Sequence, residues 1–362
     1  MSTLRAPKLP EVVDSLHESG KPRLSGDEIL AVIPALNEAD HIETCIRSLF
    51  EADDRIARVR FVVADGGSTD GTPDIVERLG RDFPNVVLLR NPKRLQAAAV
   101  NLAVSAHGEG REILVRCDAH SVYPKNFILD CADSLRSHEV ESVVVPMDAT
   151  GETCFQKANA FIVDTPLGSG GSTHRGGRIS KLVDHGHHAA FLLSSFRQVG
   201  GYDETFSHNE DAEYDRRLRA EGGRIFLDAD IRISYLPRAT PSALARQYYN
   251  YGRGRARNFM KHGDRPGLRQ MAPPVTLVSC VTGLALAPFF PLALAAPAGY
   301  LALLVVASLA VAAKMKSPCG LLAGVASGIM HFSWSAGFIR QYVATWLNGR
   351  NPDIRTGSSF AR

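Results

Sequence analysis

The 362-residue sequence predicts an α/β domain, a mostly parallel sheet with helices on both faces, followed by C-terminal transmembrane α-helices. Two observations predict it. Between Glu28 and about Leu236, short apolar runs alternate with amphipathic segments, the pattern of a doubly covered parallel sheet. From Met271 to Ala313 no residue is charged, a run of 43 residues that allows two bilayer crossings at roughly 20 residues each.

Residues 1–26 are mostly polar, contain Pro7, Pro10 and Pro22, lack a signal-peptide pattern and read as a flexible leader. Residues 27–240 form the α/β unit, with strands expected at Ile29–Ile33, Val59–Ala64, Val86–Leu89, Ile113–Cys117 and Val143–Met147. Ile42, Cys45, Ile46 and Leu49 repeat at helical spacing between the first two strands. Thr72-Pro73 opens a second helix, with threonine as cap and proline in the first turn. Residues 241–270 hold seven Lys or Arg and one acid, Asp264, and read as a basic interfacial linker. Residues 271–340 form a membrane domain of two or three helices, with Pro288, Pro291 and Pro297 at the turn and Ser317–Ile339 as the third apolar run. Lys314 and Lys316, with the basic segment before Met271, place both flanks of the first two helices in the cytoplasm. A third crossing would export the tail 341–362 with its arginines, so that run is either re-entrant or an exception to the rule.

Composition excludes several classes. A formal charge of +3 gives no field for nucleic acid. The six cysteines are scattered without a CxxC pair, which argues against a disulfide framework; they read as small buried apolar residues.

Sheets of this kind bind ligands at the carboxyl ends of their strands, and acids stand there. Asp65 ends the second strand and Asp118 follows the fourth. Pro34-Ala35-Leu36-Asn37-Glu38 leaves the first strand, where Asn37 could cap a helix or line a ligand site. The glycines of Asp65-Gly66-Gly67-Ser68 permit close backbone approach to a ligand. Glu213–Arg217 and Asp215–Arg219 read as i, i+4 surface ion pairs. Asp211 stands outside those pairs at a helix start, with Glu210 beside it.

AVIPALNEADHIETCIRSL, VADGGSTDGT, RCDAHS, VGGYDE and NEDAEYDRRLR follow one another over about 200 residues. Together they resemble the inverting nucleotide-sugar glycosyltransferases of family 2. With the apolar tail, the arrangement looks like the succinoglycan-type exopolysaccharide glucosyltransferases. The resemblance implies a GT-A-like (Rossmann-like) fold, a UDP-sugar donor, and a divalent cation, Mn²⁺ or Mg²⁺. It implies a lipid-linked sugar acceptor at the bacterial inner membrane, with the catalytic domain cytoplasmic and exopolysaccharide assembly proteins as partners. Pro34, Leu36, Asn37, Glu38, Asp65, Gly67 and Ser68 then hold the nucleotide, and Asp118 serves both nucleotide and metal. His120 stands where the family usually has a second acid, and an imidazole there tilts preference toward Mn²⁺. Asp211 is implied as the general base, with Glu210 as its alternate. Gly200, Gly201 and His188 fall on the acceptor side, and His185-Gly186-His187-His188 lacks the second ligand cluster of a zinc site. Arg253 and Arg255 are expected to clamp the diphosphate, to meet anionic lipid, or both. Leu167 to Ser172 reads as a mobile loop near the substrate or as a linker.

A nucleotidyltransferase on a similar sheet is the rival enzyme class, opposed by the acidic PALNEAD loop where a basic glycine-rich loop belongs. A catalytically inactive sugar-nucleotide scaffold is the non-enzymatic alternative, opposed by the presence of Asp118 and Asp211.

Overall fold

The computed structural model describes residues 24–172 and 175–347. The tail 348–362 and the leader up to residue 23 lie outside the described residues. Leu24, which the sequence places in the leader, is fully buried, and Gly26–Glu28 forms a 3₁₀ turn capped by Ser25.

The elements run β1 (Ile29–Ala35), α1 (Ile42–Leu49), β2 (Arg60–Asp65), α2 (Thr72–Asp82), β3 (Val86–Arg90), α3 (Gln96–His107), β4 (Ile113–Arg116), α4 (Phe127–Ser137), β5 (Ser142–Val145), β6 (Met147–Ala149), α5 (Cys154–Val163) and α6 (Pro166–Ser169). They continue with β7 (Lys181–Val183), β8 (His187–Leu192), α7 (Leu193–Gln198), α8 (Glu210–Ala220), β9 (Ile225–Leu227), β10 (Ile233–Tyr235), α9 (Pro241–His262), α10 (Leu268–Leu286), α11 (Ala295–Met315) and α12 (Ala323–Leu347). Among the described residues, eight strands form one sheet in the order β3-β2-β1-β4-β8-β5-β9-β7, and β10 pairs with β6. Strands β1 to β4 run parallel, and β8 enters antiparallel between β4 and β5.

Strand periodicity of two divides the core into layers. Ile29, Ala31, Ile33, Ile113 and Val115 pack with α1, α2 and α4 on one face. Leu30, Val32, Val62 and Leu114 pack with α3, α7 and α8 on the other. By the same alternation Arg116 follows Leu114, so the last residue of β4 points its guanidinium at Tyr202 and the start of α8 rather than at α4. The sheet thus carries a cation into the apolar layer that holds Tyr202 and Tyr214.

The expected basic linker is largely helix: α9 runs 22 residues, Thr240 capping its start and Gly263 (φ +68°) ending it. Helix α12 lies against α9 with reciprocal glycine contacts. A Cβ on Gly252 would come 2.0 Å from the Trp334 carbonyl oxygen, and one on Gly337 2.0 Å from that of Tyr249. Helices α5, α9, α11 and α12 share a third core of Ala158, Ile162, Leu244, Val311, Ala326 and Met330. Two segments, Pro291–Met315 and Pro318–Leu347, are long and apolar enough to cross a membrane. The first is mostly exposed; the second is nearly half buried, chiefly against α9. Helix α10 does not reach that standard, since Pro273 and Pro274 sit inside it behind Arg269 and Gln270.

Two cysteines correct the sequence reading. Cys154 and Cys319 form a disulfide joining the start of α5 to the turn before α12, while Cys45, Cys117, Cys131 and Cys280 are free and buried as expected. The pairing joins positions 165 residues apart, which spacing does not reveal. The stretch Leu167–Ser172 is tethered rather than loose: His331 meets the Leu167 carbonyl at 2.8 Å, and Arg269 donates to Ser169 O and Ser172 Oγ.

Candidate active site

The β1 and β2 ends meet through side chains. Asn37 does not cap α1, which starts after His41; its φ of +56° turns the loop so that its Oδ1 accepts the Thr69 N–H at 2.9 Å and its own N–H reaches Ser68 Oγ at 2.8 Å. Asp65 is buried, accepting the Gly67 and Ser68 N–H groups at 2.8 and 3.0 Å and the Ser68 hydroxyl at 2.5 Å. The cap of α2 is Gly71, and Thr72 instead bonds Asp70 and the Glu38 N–H. Pro34 pairs with Ala64 across β1 and β2, and Leu36 is exposed at the mouth. Backbone-saturated loops of this sort present fixed dipoles to a ligand.

Asp118 follows β4 as expected. Its Oδ1 lies 3.3 Å from Arg116 Nη2 and its Oδ2 3.6 Å from His187 Nε2. Burial opposes its ionisation, but Arg116, His187 and His120 hold the carboxyl below its usual range. His120 turns to Glu38, Nδ1 to Oε1 at 3.2 Å, and that bond raises its pKa against the effect of burial. Buried His187, by contrast, is lowered to about 4, desolvation outweighing the Asp118 charge.

Arg116 joins this group to α8. Its guanidinium is 8% exposed and lies 3.9 Å from Glu210 Oε1 and 3.5 Å from the Tyr202 hydroxyl. Asp118 and Glu210 therefore share one cation, whose charge also acts on Asp211. Burial and the Asp211 charge raise the Glu210 pKa. For Asp211 burial acts the same way but is outweighed by positive neighbours, His185 and Arg116 among them, and by the Ala212 N–H at 2.7 Å. Two adjacent carboxyls are pushed apart, one toward the acid form and one held as carboxylate, the arrangement expected of a base with a protonated neighbour.

Several expectations need correction. Asp215 does not pair with Arg219. It is buried and receives His185 Nδ1 and His188 Nε2, each at 2.7 Å, while Arg219 reaches Asp184. Glu213 does pair with Arg217, but fully buried, and it also meets Lys261 and His262 of α9. His188 is buried and engaged on both ring nitrogens, so it stands behind the cleft rather than lining it. Gly200 and Gly201, at φ +90° and +68°, end α7, and Arg217 binds the Val199 and Gly201 carbonyls; they place Tyr202 in the core. Arg253 and Arg255 sit on α9 two residues apart and cannot converge as a pair. Arg253 is exposed beside His208, whereas the Arg255 charge faces Asp211 and Asp215, with burial lowering its pKa. Arg116, His187 and Tyr202 carry much of the site and were not singled out by the sequence reading.

Comparison with known proteins fixes the family. The glycosyl transferase family 2 model matches residues 30–200. The succinoglycan biosynthesis protein ExoA of Rhizobium meliloti (strain 1021) is 45% identical over 330 residues, 88% of this chain and 97% of that protein. The chain belongs to glycosyl transferase family 2. A Methanococcus voltae dolichyl N-acetyl-α-D-glucosaminyl phosphate 3-β-D-2,3-diacetamido-2,3-dideoxy-β-D-glucuronosyltransferase is 25% identical over 235 residues, 62% of this chain and 71% of that one. Among solved structures, a Pyrobaculum calidifontis mannosyltransferase in complex with GDP-Man and Mn²⁺ superposes with a TM-score of 0.55 at 21% identity, covering 87% of each chain. That likeness shows the GT-A-like fold. This family 2 member is a glycosyltransferase, and Arg116, inside the region that the family model matches, reaches Glu210 at the start of α8.

Proposed function

We propose that this enzyme is an inverting glycosyltransferase that moves a sugar from a UDP-sugar, glucose foremost, onto a polyprenyl-diphosphate-linked sugar in exopolysaccharide synthesis. The observation that carries the reading is Arg116 bridging Asp118 to the Glu210–Asp211 pair. The relationship to a succinoglycan biosynthesis protein supports the pathway class.

In this reading the Asn37 loop and Asp65 hold the nucleoside, and Asp118 lies beside the diphosphate. The acceptor hydroxyl gives its proton to Asp211 as its oxygen attacks the anomeric carbon. The bond to UDP breaks on the opposite face, and the diphosphate leaves with the electron pair. Arg116 stabilises the charge that develops in the cleft. Asp118 and His120 are the residues that would hold Mn²⁺ or Mg²⁺. The donor set fits as a partial shell: among the described residues no three His, Cys, Asp or Glu gather at ligand distance, so diphosphate oxygens and water would complete it. Such a cation, when bound, neutralises the leaving group. The apolar helices would seat the protein at the cytoplasmic face of the inner membrane, beside a lipid acceptor.

The test offers membranes containing the protein a panel of labelled sugar nucleotides with native lipid acceptors, Mg²⁺ and Mn²⁺ in parallel. Cation-dependent transfer from UDP-glucose to lipid is the expected result. Transfer from another nucleotide sugar would replace the donor, and none from any would overturn the reading.

A further inference from the structure

Behind the cleft a buried chain of polar groups runs from Arg116 to Asp215. Arg116 Nη1 lies 3.5 Å from the Tyr202 hydroxyl, Tyr202 Oη lies 2.7 Å from His188 Nδ1, and His188 Nε2 lies 2.7 Å from Asp215 Oδ1. The four side chains are at most 8% exposed. Tyr202 is pinned by its backbone, since Asn101 accepts its N–H at 2.9 Å and donates to its carbonyl at 2.8 Å. The other Asp215 oxygen takes His185 Nδ1 at 2.7 Å.

The ends of the chain set its direction. A guanidinium can only donate and a carboxylate can only accept. Each group between has one donor and one acceptor to use. His188 must therefore carry its hydrogen on Nε2 toward Asp215, Nδ1 must accept the Tyr202 O–H, and the Tyr202 oxygen is left to accept from Arg116. Moving the His188 hydrogen to Nδ1 leaves the Nε2 lone pair facing the Asp215 carboxylate, acceptor against acceptor, an unmade buried bond that costs about 1–3 kcal/mol.

We infer that Tyr202, His188 and Asp215 are positioning residues that aim Arg116 at Asp118 and Glu210. None touches substrate. Asp215 supplies a counter-charge remote enough to leave the guanidinium face free for the cleft, and Tyr202 and His188 transmit its orientation. The inference rests on the transfer reaction proposed above and extends it to a layer that the reaction itself does not contact.

A double-mutant cycle with UDP-glucose, Mn²⁺ and native lipid acceptors tests it, measuring kcat per folded protein, donor KM and Tm. Tyr202→Phe removes one hydroxyl and keeps the ring. It is expected to lower kcat about 10- to 100-fold, with donor KM within about threefold of wild type. Arg116→Lys should cost at least as much, and the double variant should match Arg116→Lys within about threefold, because residues acting through one group are not additive. His188→Gln takes the place of Tyr202→Phe in the cycle if that variant does not fold. Wild-type kcat in Tyr202→Phe, or additive losses in the double variant, would overturn the inference; so would a loss confined to Tm. A second readout needs no turnover: ¹⁵N-histidine spectra should place the His188 hydrogen on Nε2. A hydrogen on Nδ1 overturns the chain even if transfer is seen, whereas inactive wild-type protein with the Nε2 tautomer overturns only the donor reading.

Discussion

The strand-end loops of the first half and the charge cluster of the second half hold their acids in opposite ways. Asp65 is satisfied by its own turn, through the N–H groups of Gly67 and Ser68. The neighbouring Asn37 reaches only 32 residues along the chain to Thr69. Arg116 meets Tyr202 across 86 residues, and Glu213 meets Lys261 across 48. The first half is a set of short backbone cradles suited to shape recognition of a nucleotide. The second is a set of charges whose ionisation each depends on side chains from other elements. Damage should therefore differ in kind: local and affinity-limited in the first half, cooperative and stability-linked in the second.

The sharpest break of that contrast is Glu213→Ala. Its buried carboxylate meets Arg217, Lys261 and His262, and removing it takes the acid from Arg217 and leaves Lys261 with Asp203 alone. Breaking one side of a buried ion network costs about 3–5 kcal/mol, so unfolding should begin at clearly lower denaturant or temperature. A surface pair in its place would have lost about 0–1 kcal/mol.

Acid should find the same region. Burial works against the ionised forms of Glu213 and Asp215, yet His262, Arg217 and Lys261 around Glu213, and His188 and His185 hydrogen-bonded to Asp215, hold both below their ordinary values of 4.5 and 3.8. The folded protein then binds fewer protons than the unfolded chain, so their stabilisation is complete above the unfolded carboxylate range and is lost progressively as pH falls from that range toward the lower folded values. Between pH 7 and pH 4 the wild-type Tm should drop about 2–4 °C more than that of Glu213→Gln. Equal drops would remove Glu213 from the account of acid stability.

The smallest effect belongs to the first half. Asn37→Ala loses one loop bond and places alanine at φ +56°. Donor KM should rise about tenfold with kcat unchanged, since only ground-state binding is touched. A fall in kcat of the same size would show that the nucleotide loop also shapes the reacting geometry.

The same contrast explains what could be read from sequence. Strands β1 to β5 are apolar runs with clean ends, and Asp65 and Asp118 stand where parallel strands deliver residues. Strand β8 was missed because it opens on His187 and His188, polar residues satisfied only by partners folded over them. Strands β9 and β10, three residues each, are too short to show a period. The i, i+4 rule assigned Asp215 to Arg219 because it sees one helix, whereas two imidazoles from 27 and 30 residues away compete for the acid. The Arg253–Arg255 clamp failed because the segment is helical rather than extended. Arg116 was not singled out, although a signal was present: two residues past Leu114 on a strand, it had to share that residue's buried face.

The most direct test sets Asp118→Asn beside Asp211→Asn, measuring UDP binding by calorimetry with and without Mn²⁺, and sugar transfer to lipid. The expected result is a division of labour. Asp211→Asn binds UDP as wild type does and transfers about a thousandfold more slowly, while Asp118→Asn loses the manganese-dependent part of its UDP affinity. Wild-type turnover in Asp211→Asn, or unchanged manganese dependence in Asp118→Asn, would contradict it.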